Sequence, residues 1–187
     1  MTIDKPEVWM IQIPDNPISM YYRGRVEASW EGYNLKYFDA ITPKTMGTMQ
    51  YLQFGKKRGT IEFTPTEKAV WYSHVELWAK ARKNPILIIE HDAMLVEPIP
   101  DDLWGKHPMV CLGHTGKIKI PLPGLAYYLT PEIASRMVRD VKSISSIKWN
   151  SDGTIHDYCK KNGAHITKHV LQIQNEFFGT TIEHKKK

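Results

Sequence analysis

Residues 86 to 92 read Ile-Leu-Ile-Ile-Glu-His-Asp, and this stretch decides the fold that the sequence predicts. Four branched apolar side chains in a row suit a strand that is buried on both faces of a sheet. The apolar run ends abruptly at two carboxylates, Glu90 and Asp92, on either side of His91. Because ligands of open α/β sheets bind beyond the carboxyl ends of such strands, we expect a functional site here. The alternative is a strand whose terminal acids merely face solvent.

The segments that precede this strand predict an α/β domain. Residues 8–13 read as a first strand, and the turn-forming sequence Pro-Asp-Asn-Pro follows directly. A helix is expected from a cap at Ser19 to Trp30, and a second strand at residues 35–40. Strand, helix and strand in such a short span are typical of a βαβ unit in a parallel sheet.

The rest of the chain continues this alternation. Residues 43–64 read as an irregular loop, and residues 66–83 as a helix that leads into the Ile86 strand. Further strands are expected at 94–96, 110–112 and 125–129, and an extended segment at 165–174. Two more helices are expected, one at 131–144 with a cap at Thr130 and one at 153–161 with a cap at Asp152. No linker divides the chain, so we expect one α/β domain over residues 1–187. Its ordered core should span about 8–182, with a mainly parallel sheet flanked by helices and a basic tail.

Composition indicates a water-soluble globular protein. The 187 residues are 42% hydrophobic and 24% charged, and no apolar stretch approaches the length that crosses a bilayer. The first residues lack the features of a secretory signal, so we expect a cytoplasmic protein. Cys111 and Cys159 lie far apart and form no C-x-x-C pair, which favours buried free thiols over a disulfide or a zinc site.

The formal net charge of +5 is concentrated in two clusters. Residues 185–187 are three lysines, which we interpret as a solvated tail. Residues 56–58 read Lys-Lys-Arg and could contact the phosphates of a nucleotide or of a nucleic acid. A solvated loop is the alternative for this internal cluster.

Two short motifs suggest chemistry. Glu90 and Asp92 form an acid-x-acid pattern of the kind that binds manganese and a nucleotide diphosphate, since Mn²⁺ and Mg²⁺ prefer oxygen ligands. Ser73 and His74 lie on the helix before that strand, where they could orient a nucleotide or an acid. Equally, His74 could be a satisfied residue of the helix–sheet interface. Neither G-x-G-x-x-G, a P-loop nor G-x-S-x-G occurs, which disfavours dinucleotide, P-loop and α/β-hydrolase sites.

The order of motifs resembles glycosyltransferase family 25, the lipooligosaccharide galactosyltransferase-like group, over about residues 8–182. The similar segments are the opening strand at 8–13, Tyr-Phe-Asp-Ala at 37–40, Ser-His-Val-Glu-Leu-Trp at 73–78, Glu-His-Asp at 90–92, Gly-Leu-Ala-Tyr-Tyr-Leu at 124–129, Asp152, and Gln174 with Thr-Thr-Ile at 180–182. The chain departs from the family at His91, where the family has a carboxylate, and at Ser19, near which it has an arginine.

The resemblance implies a GT-A fold and an inverting glycosyltransferase that uses Mn²⁺ or Mg²⁺. Its donor would be a nucleotide-sugar, and a UDP-sugar is the expected one. The metal would be held by Asp92 with help from Glu90, and by His169 as a possible third ligand. The donor would contact Ser73, His74, Glu90 and Gln174. Asp152 is the first candidate for the base that takes the acceptor's proton, and Asp157 the second.

The acceptor remains open at this stage. The family resemblance favours a surface glycan made in a bacterial cytosol. The basic residues also allow a phage-type enzyme that glycosylates hydroxymethylated bases of DNA in the cytosol of an infected host. A third hypothesis is a catalytically silent module that binds a nucleotide or a glycan.

Overall fold

The structure, a computed structural model, describes residues 5–57, 59–114 and 121–173. Four predictions concern other parts of the chain and lie outside the described residues. They concern Gln174, the segment 180–182, the lysine tail at 185–187 and Arg58 of the internal basic cluster.

The described residues form a mixed α/β domain with one seven-stranded sheet. Its strands are β1 (Glu7–Gln12), β2 (Leu35–Asp39), β3 (Ile86–Glu90), β4 (Ala93–Leu95), β5 (Met109–His114), β6 (Ala126–Leu129) and β7 (His165–Gln172). Its helices are α1 (Pro17–Val26), α2 (Pro43–Met46), α3 (Pro65–Ala81), α4 (Pro131–Ser143) and α5 (Ser151–Lys161), and short 3₁₀ turns lie at Glu27–Trp30 and Asp101–Leu103. The predicted α/β class is therefore confirmed.

The strand order is β2-β1-β3-β6-β5-β7-β4. The expected parallel pairing is found where β1 joins β2 and β3, and again between β5 and β7. Strand β6 is antiparallel to both of its neighbours, and β4 is antiparallel to β7. The sheet is thus mixed, because β6 follows β5 in the chain and runs back beside it.

The sheet is strongly curled. β3 lies near one side of the strand order and β4 lies at the far edge, although only residues 91 and 92 separate them in the chain. So short a link can join these strands only if the sheet bends its far edge back towards β3. The Glu-His-Asp segment is therefore at the closing point of the curl.

Both faces of the sheet are covered by apolar side chains. One face packs against α3 and α4 and includes Trp71 and Trp78. The other face packs against α1 and includes Trp30 and Trp104. Cys111 and Cys159 are free and buried, as predicted. In the described part of the chain, no helix is long and apolar enough to cross a membrane.

Two predicted helix caps are wrong. Asn16, and not Ser19, caps α1 by accepting from the backbone N–H groups of residues 18 and 19. Ser19 is instead buried, and its hydroxyl accepts from the Ile13 backbone N–H at 2.9 Å. Asn150, and not Asp152, caps α5 by accepting from the Gly153 N–H at 3.0 Å. The Asp152 carboxylate is therefore not used by its own helix.

Candidate functional site

A cavity of about 300 Å³ lies where the carboxyl ends of β1, β2 and β3 meet. Its walls come from Ile11 and Ile13, from the loop 40–43 after β2, and from the first turns of α3. Glu90, His91 and the segment 150–152 complete the walls. This is the edge of the sheet at which the sequence predicts a ligand site.

Three acidic residues line this cavity; Glu67 is paired with Lys57, which leaves Glu90 and Asp152. Glu90 ends β3, and its pKa is raised well above 4.5, first by burial and then by the charges of Asp92 and Asp152. Asp152 lies in the first turn of α5 and is open to solvent through the cavity, although enough protein surrounds its carboxylate to raise its pKa above 3.8. Like charges held this close favour a bound proton or a cation between them.

Gly124 makes room for the Asp152 carboxylate. A Cβ atom at Gly124 would lie 2.0 Å from Asp152 Oδ1, so no other residue fits without displacing it. The glycine belongs to the segment 124–129 that resembles family 25. This contact explains why a residue without a side chain stands at position 124. The sequence alone did not connect Gly124 with Asp152.

Asp92 lies behind the cavity wall and not in it. Its side chain is fully buried, and Oδ2 accepts from Gln172 Nε2 at 3.2 Å. Its backbone carbonyl accepts from the Ile173 N–H, and Oδ1 has no hydrogen-bond partner among the described residues. Burial raises the pKa of Asp92 from 3.8 to about 6, against the opposing effect of the Gln172 hydrogen bond. Its place among the metal ligands stays a prediction.

Asp92→Asn is expected to stabilise the protein at pH 7 to 8. Because the folded chain binds the Asp92 proton more tightly than the unfolded chain, stability falls as pH rises between 3.8 and about 6. The loss at neutral pH is about 3 kcal/mol, and asparagine removes it while still accepting from Gln172. Urea unfolding of both proteins at pH 4 and pH 7.5, without divalent metal, measures the difference. If Asp92→Asn and wild type were equally stable at both pH values, the charge of Asp92 would already be offset in the folded protein.

Ser73 has a structural role at the cavity wall. Its hydroxyl accepts from the Ile41 N–H at 2.8 Å and donates to the Ala69 carbonyl at 3.0 Å. The loop after β2 is thereby fixed to α3. Ser73 lines the cavity as predicted, and it shapes the wall through this loop.

His74 is fully buried on α3 and also lines the cavity. Tyr127 Oη accepts from Trp78 Nε1 at 2.9 Å and lies 2.7 Å from His74 Nδ1. Trp78 can only donate, so the Tyr127 hydroxyl proton is left to donate to His74 Nδ1. His74 then carries its own proton on Nε2, which has no partner among the described residues. Burial lowers the pKa of His74 to about 4, so the ring is neutral at pH 7.

His91, which the sequence could not explain, is buried beside the same cavity. Its ring hydrogen-bonds to the Ile11 backbone carbonyl, and burial lowers its pKa to about 4. Nε2 has no partner among the described residues. A neutral histidine therefore stands between Glu90 and Asp92, and it adds no charge to the cavity at pH 7.

Two other predicted residues do not line the cavity. His169 lies on β7, with Nδ1 4.0 Å from Glu97 Oε2. Asp157 is exposed on α5, more than a helical turn beyond Asp152. The structure thus brings together Ser73, His74, Glu90 and Asp152 out of the predicted set.

The internal basic cluster is largely neutralised. Lys56 Nζ lies 3.5 Å from Glu62 Oε1, and Lys57 pairs with Glu67, which also closes the capping box of α3. Both described members of the cluster therefore have acidic partners. This arrangement favours the alternative of a loop held by its own charges.

The cavity fits one kind of metal site. Among the described residues, no three or more His, Cys, Asp or Glu side chains are arranged to hold a metal. Mg²⁺ and similar ions are commonly held by one or two carboxylates together with substrate phosphates. Glu90 and Asp152 lie close enough for the charge of Asp152 to raise the pKa of Glu90, which suits that arrangement. A metal site built from protein ligands alone does not fit.

Comparisons with known proteins find similar solved structures but no similar sequences. No family model matches the chain, and no curated protein matches it. The fold is similar to the crystal structure of a glycosyltransferase involved in the glycosylation of the major capsid of PBCV-1. The identity is 11%, the match covers 88% of this chain and 82% of that chain, and the TM-score is 0.49. A likeness of this size establishes neither family nor activity, so the family 25 resemblance rests on the sequence motifs.

Proposed function

We propose that the chain is a glycosyltransferase that moves a sugar, with inversion, from a nucleotide-sugar to an acceptor hydroxyl. The observation that carries the proposal is the pair Glu90 and Asp152 in one cavity at the carboxyl ends of parallel strands. Two carboxyl groups suit the reaction because one can face the diphosphate side and the other the acceptor side. A UDP-sugar is the proposed donor, on the strength of the motif resemblance.

In this proposal the acceptor oxygen attacks the anomeric carbon from the side opposite the diphosphate. The bond from that carbon to the diphosphate oxygen breaks, and the nucleoside diphosphate leaves with the electron pair. Asp152 takes the proton of the acceptor hydroxyl, and its raised pKa makes it a stronger base than an ordinary aspartate. Ser73 keeps the loop after β2 in place against the donor.

Glu90 is the proposed first ligand of Mn²⁺ or Mg²⁺. When bound, such a cation offsets the charge that develops on the leaving diphosphate. Asp92 acts in this proposal through its charge on Glu90, since its own side chain is behind the wall. His74 presents its Nε2–H to the donor as a neutral hydrogen-bond donor, which suits an anionic or carbonyl oxygen.

A silent binding module is the second candidate function. The observation that favours it is His91, which lowers the carboxylate count at the position where the family has three acids in a row. Such a module would bind a nucleotide or a glycan in the same cavity and release it unchanged. Turnover of the donor separates the two functions.

Titration calorimetry with UDP and GDP, with and without Mn²⁺, tests the proposal on the whole chain. We expect UDP to bind at least about tenfold more tightly with Mn²⁺, a difference of roughly 1.4 kcal/mol. The protein should also hydrolyse a UDP-hexose slowly, and the release of UDP measures this hydrolysis. Binding without release of UDP would favour the silent module, and no binding of either nucleotide would contradict both functions.

A further inference from the structure

A second cavity, of about 220 Å³, adjoins the first. Glu67 and Asn150 line both cavities, so the two are contiguous. Its other walls come from Lys57, Ile61, Lys148 and Trp149. No role assigned so far uses this space.

Trp149 is held in an exposed position by its backbone. Its side chain is 58% exposed, which makes it the most exposed large apolar side chain described. Its carbonyl accepts from the buried indole N–H of Trp71 at 3.0 Å. On either side, Ile147 pairs with the chain at residues 53–55, and Asn150 caps α5. An exposed indole on a backbone fixed in this way offers a flat surface to a ligand ring.

Two lysines line this cavity beside the indole, and among the described residues only one of them has an acidic partner. Lys57 pairs with Glu67 on the wall shared with the first cavity. Lys148 has no ion-pair or hydrogen-bond partner among the described residues. Ile61, 52% exposed, adds an apolar edge to the same cavity. The cavity therefore combines one aromatic surface, one apolar edge and one uncompensated cation.

We propose that this second cavity is the acceptor subsite, which binds a carbohydrate ring on Trp149 with an anionic substituent against Lys148. The inference rests on the proposed function and adds the substrate class to it. Trp149 precedes Asp152 by three residues, and Asn150 between them lines both cavities, so in this proposal a sugar on the indole can turn a hydroxyl towards the proposed base. The donor in the first cavity and the acceptor in the second would then meet at Asp152.

Among the described residues of this cavity, the same observations disfavour a nucleic-acid acceptor. Proteins that bind single strands or duplexes line a groove with several cations, which track successive phosphates. Here Lys56 and Lys57 are paired with acids, and Lys148 is the unpaired lysine of the cavity wall. One cation and one indole suit a single anionic sugar better than a phosphate backbone.

The experiment follows the indole N–H signal of Trp149 by ¹H–¹⁵N NMR in the full chain, and it requires no donor. The probes are lactose, a hyaluronan disaccharide that carries a glucuronate, and a short single-stranded DNA. Trp149→Phe assigns the signal. We expect the glucuronate disaccharide to shift it in a saturable way, with an affinity about tenfold greater than that of lactose.

Variants separate the two parts of the subsite. Trp149→Ala should weaken binding of the glucuronate disaccharide by about tenfold or more, measured by ligand-observed NMR. Lys148→Ala should bring that disaccharide to the affinity of lactose, and Lys160→Ala, at an exposed lysine on α5, is the matched control. UDP affinity should stay unchanged in all of them.

Two results would overturn the subsite. One is an unshifted Trp149 signal with both saccharides while UDP still binds. The other is a signal that shifts with DNA and not with either saccharide. If UDP fails to bind but the saccharides shift the signal and Trp149→Ala weakens saccharide binding measured by ligand-observed NMR, the proposed donor chemistry fails and the carbohydrate site stands.

Discussion

Asp152→Asn is expected to lower kcat for sugar transfer by about 100- to 10,000-fold, because asparagine cannot take the acceptor's proton. The affinity for UDP should change little, since the group acts on the acceptor side. Asp152 does not cap α5, so the variant should fold, and because burial raises the pKa of Asp152 its stability at neutral pH should be no lower than that of wild type. Transfer or hydrolysis rates at saturating donor, together with UDP titrations, measure both effects. Asp157→Asn, exposed on the same helix, is the matched control and should be near wild type.

The pH profile gives this prediction a second readout. A base must be ionised, so wild-type kcat should fall as pH drops through the pKa of Asp152, which lies above 3.8. Asp152→Glu should retain part of the rate with a similar profile, whereas Asp152→Asn should lose the acidic limb. An Asp152→Asn enzyme that keeps both its rate and its acidic limb would assign the base elsewhere.

Gly124→Ala tests the same carboxylate without altering it. The new methyl group would lie 2.0 Å from Asp152 Oδ1, so the carboxylate must move out of its position. We expect a loss of kcat that approaches the loss in Asp152→Asn, with UDP affinity retained. Gly24→Ala is the matched control, because a methyl group at that helical glycine would meet no atom within 4 Å.

Glu90→Gln is expected to abolish the Mn²⁺-dependent part of UDP binding and to reduce transfer by at least about 100-fold. Glutamine has nearly the same shape but no charge to hold a cation between the cavity wall and a diphosphate. Metal-free binding of UDP should survive, because the cavity walls are unchanged. Titration calorimetry with and without Mn²⁺ gives the comparison, and Glu132→Gln, on the exposed face of α4, is the control.

The same variant should raise stability in metal-free buffer. The pKa of Glu90 is raised by burial and by the neighbouring acids, so its ionised form opposes folding at neutral pH. Glu90→Gln removes that opposition. A Glu90→Gln protein with a full response to Mn²⁺ would move the metal to other residues, and Asp92 would then be the next to test.

Most elements of the fold could be predicted because their patterns are local. The apolar run of β3 and the spacing of buried residues along α3 identify both elements without reference to the rest of the chain. The caps at Asn16 and Asn150 were not predicted because Ser19 and Asp152, three and two residues further on, are also cap-forming residues. Only the direction in which the chain enters the helix determines which of two such residues becomes the cap.

The site was predictable in part, for a physical reason. Glu90 lies at a strand end that the sequence marks clearly, so its position at the cavity followed from α/β topology alone. The burial of Asp92 depends on β7, which returns from the other end of the chain and places Gln172 against it. The contacts between Tyr127 and His74 and between Gly124 and Asp152 are equally long-range. Such contacts cannot be predicted from the spacing of apolar residues within a single segment.

The curl of the sheet sets the point during synthesis at which the Glu-His-Asp segment reaches its final surroundings. Glu90 and Asp92 leave the ribosome early, but the strand that covers Asp92 begins at His165, and its partner Gln172 follows 80 residues after Asp92. Until β7 pairs with β4, Asp92 lacks its hydrogen bond from Gln172, although β1 and β6 already hold the end of β3. The surroundings of Glu90 and Asp92 are therefore complete only after the last strand has been added, and a chain interrupted before His165 should lack them.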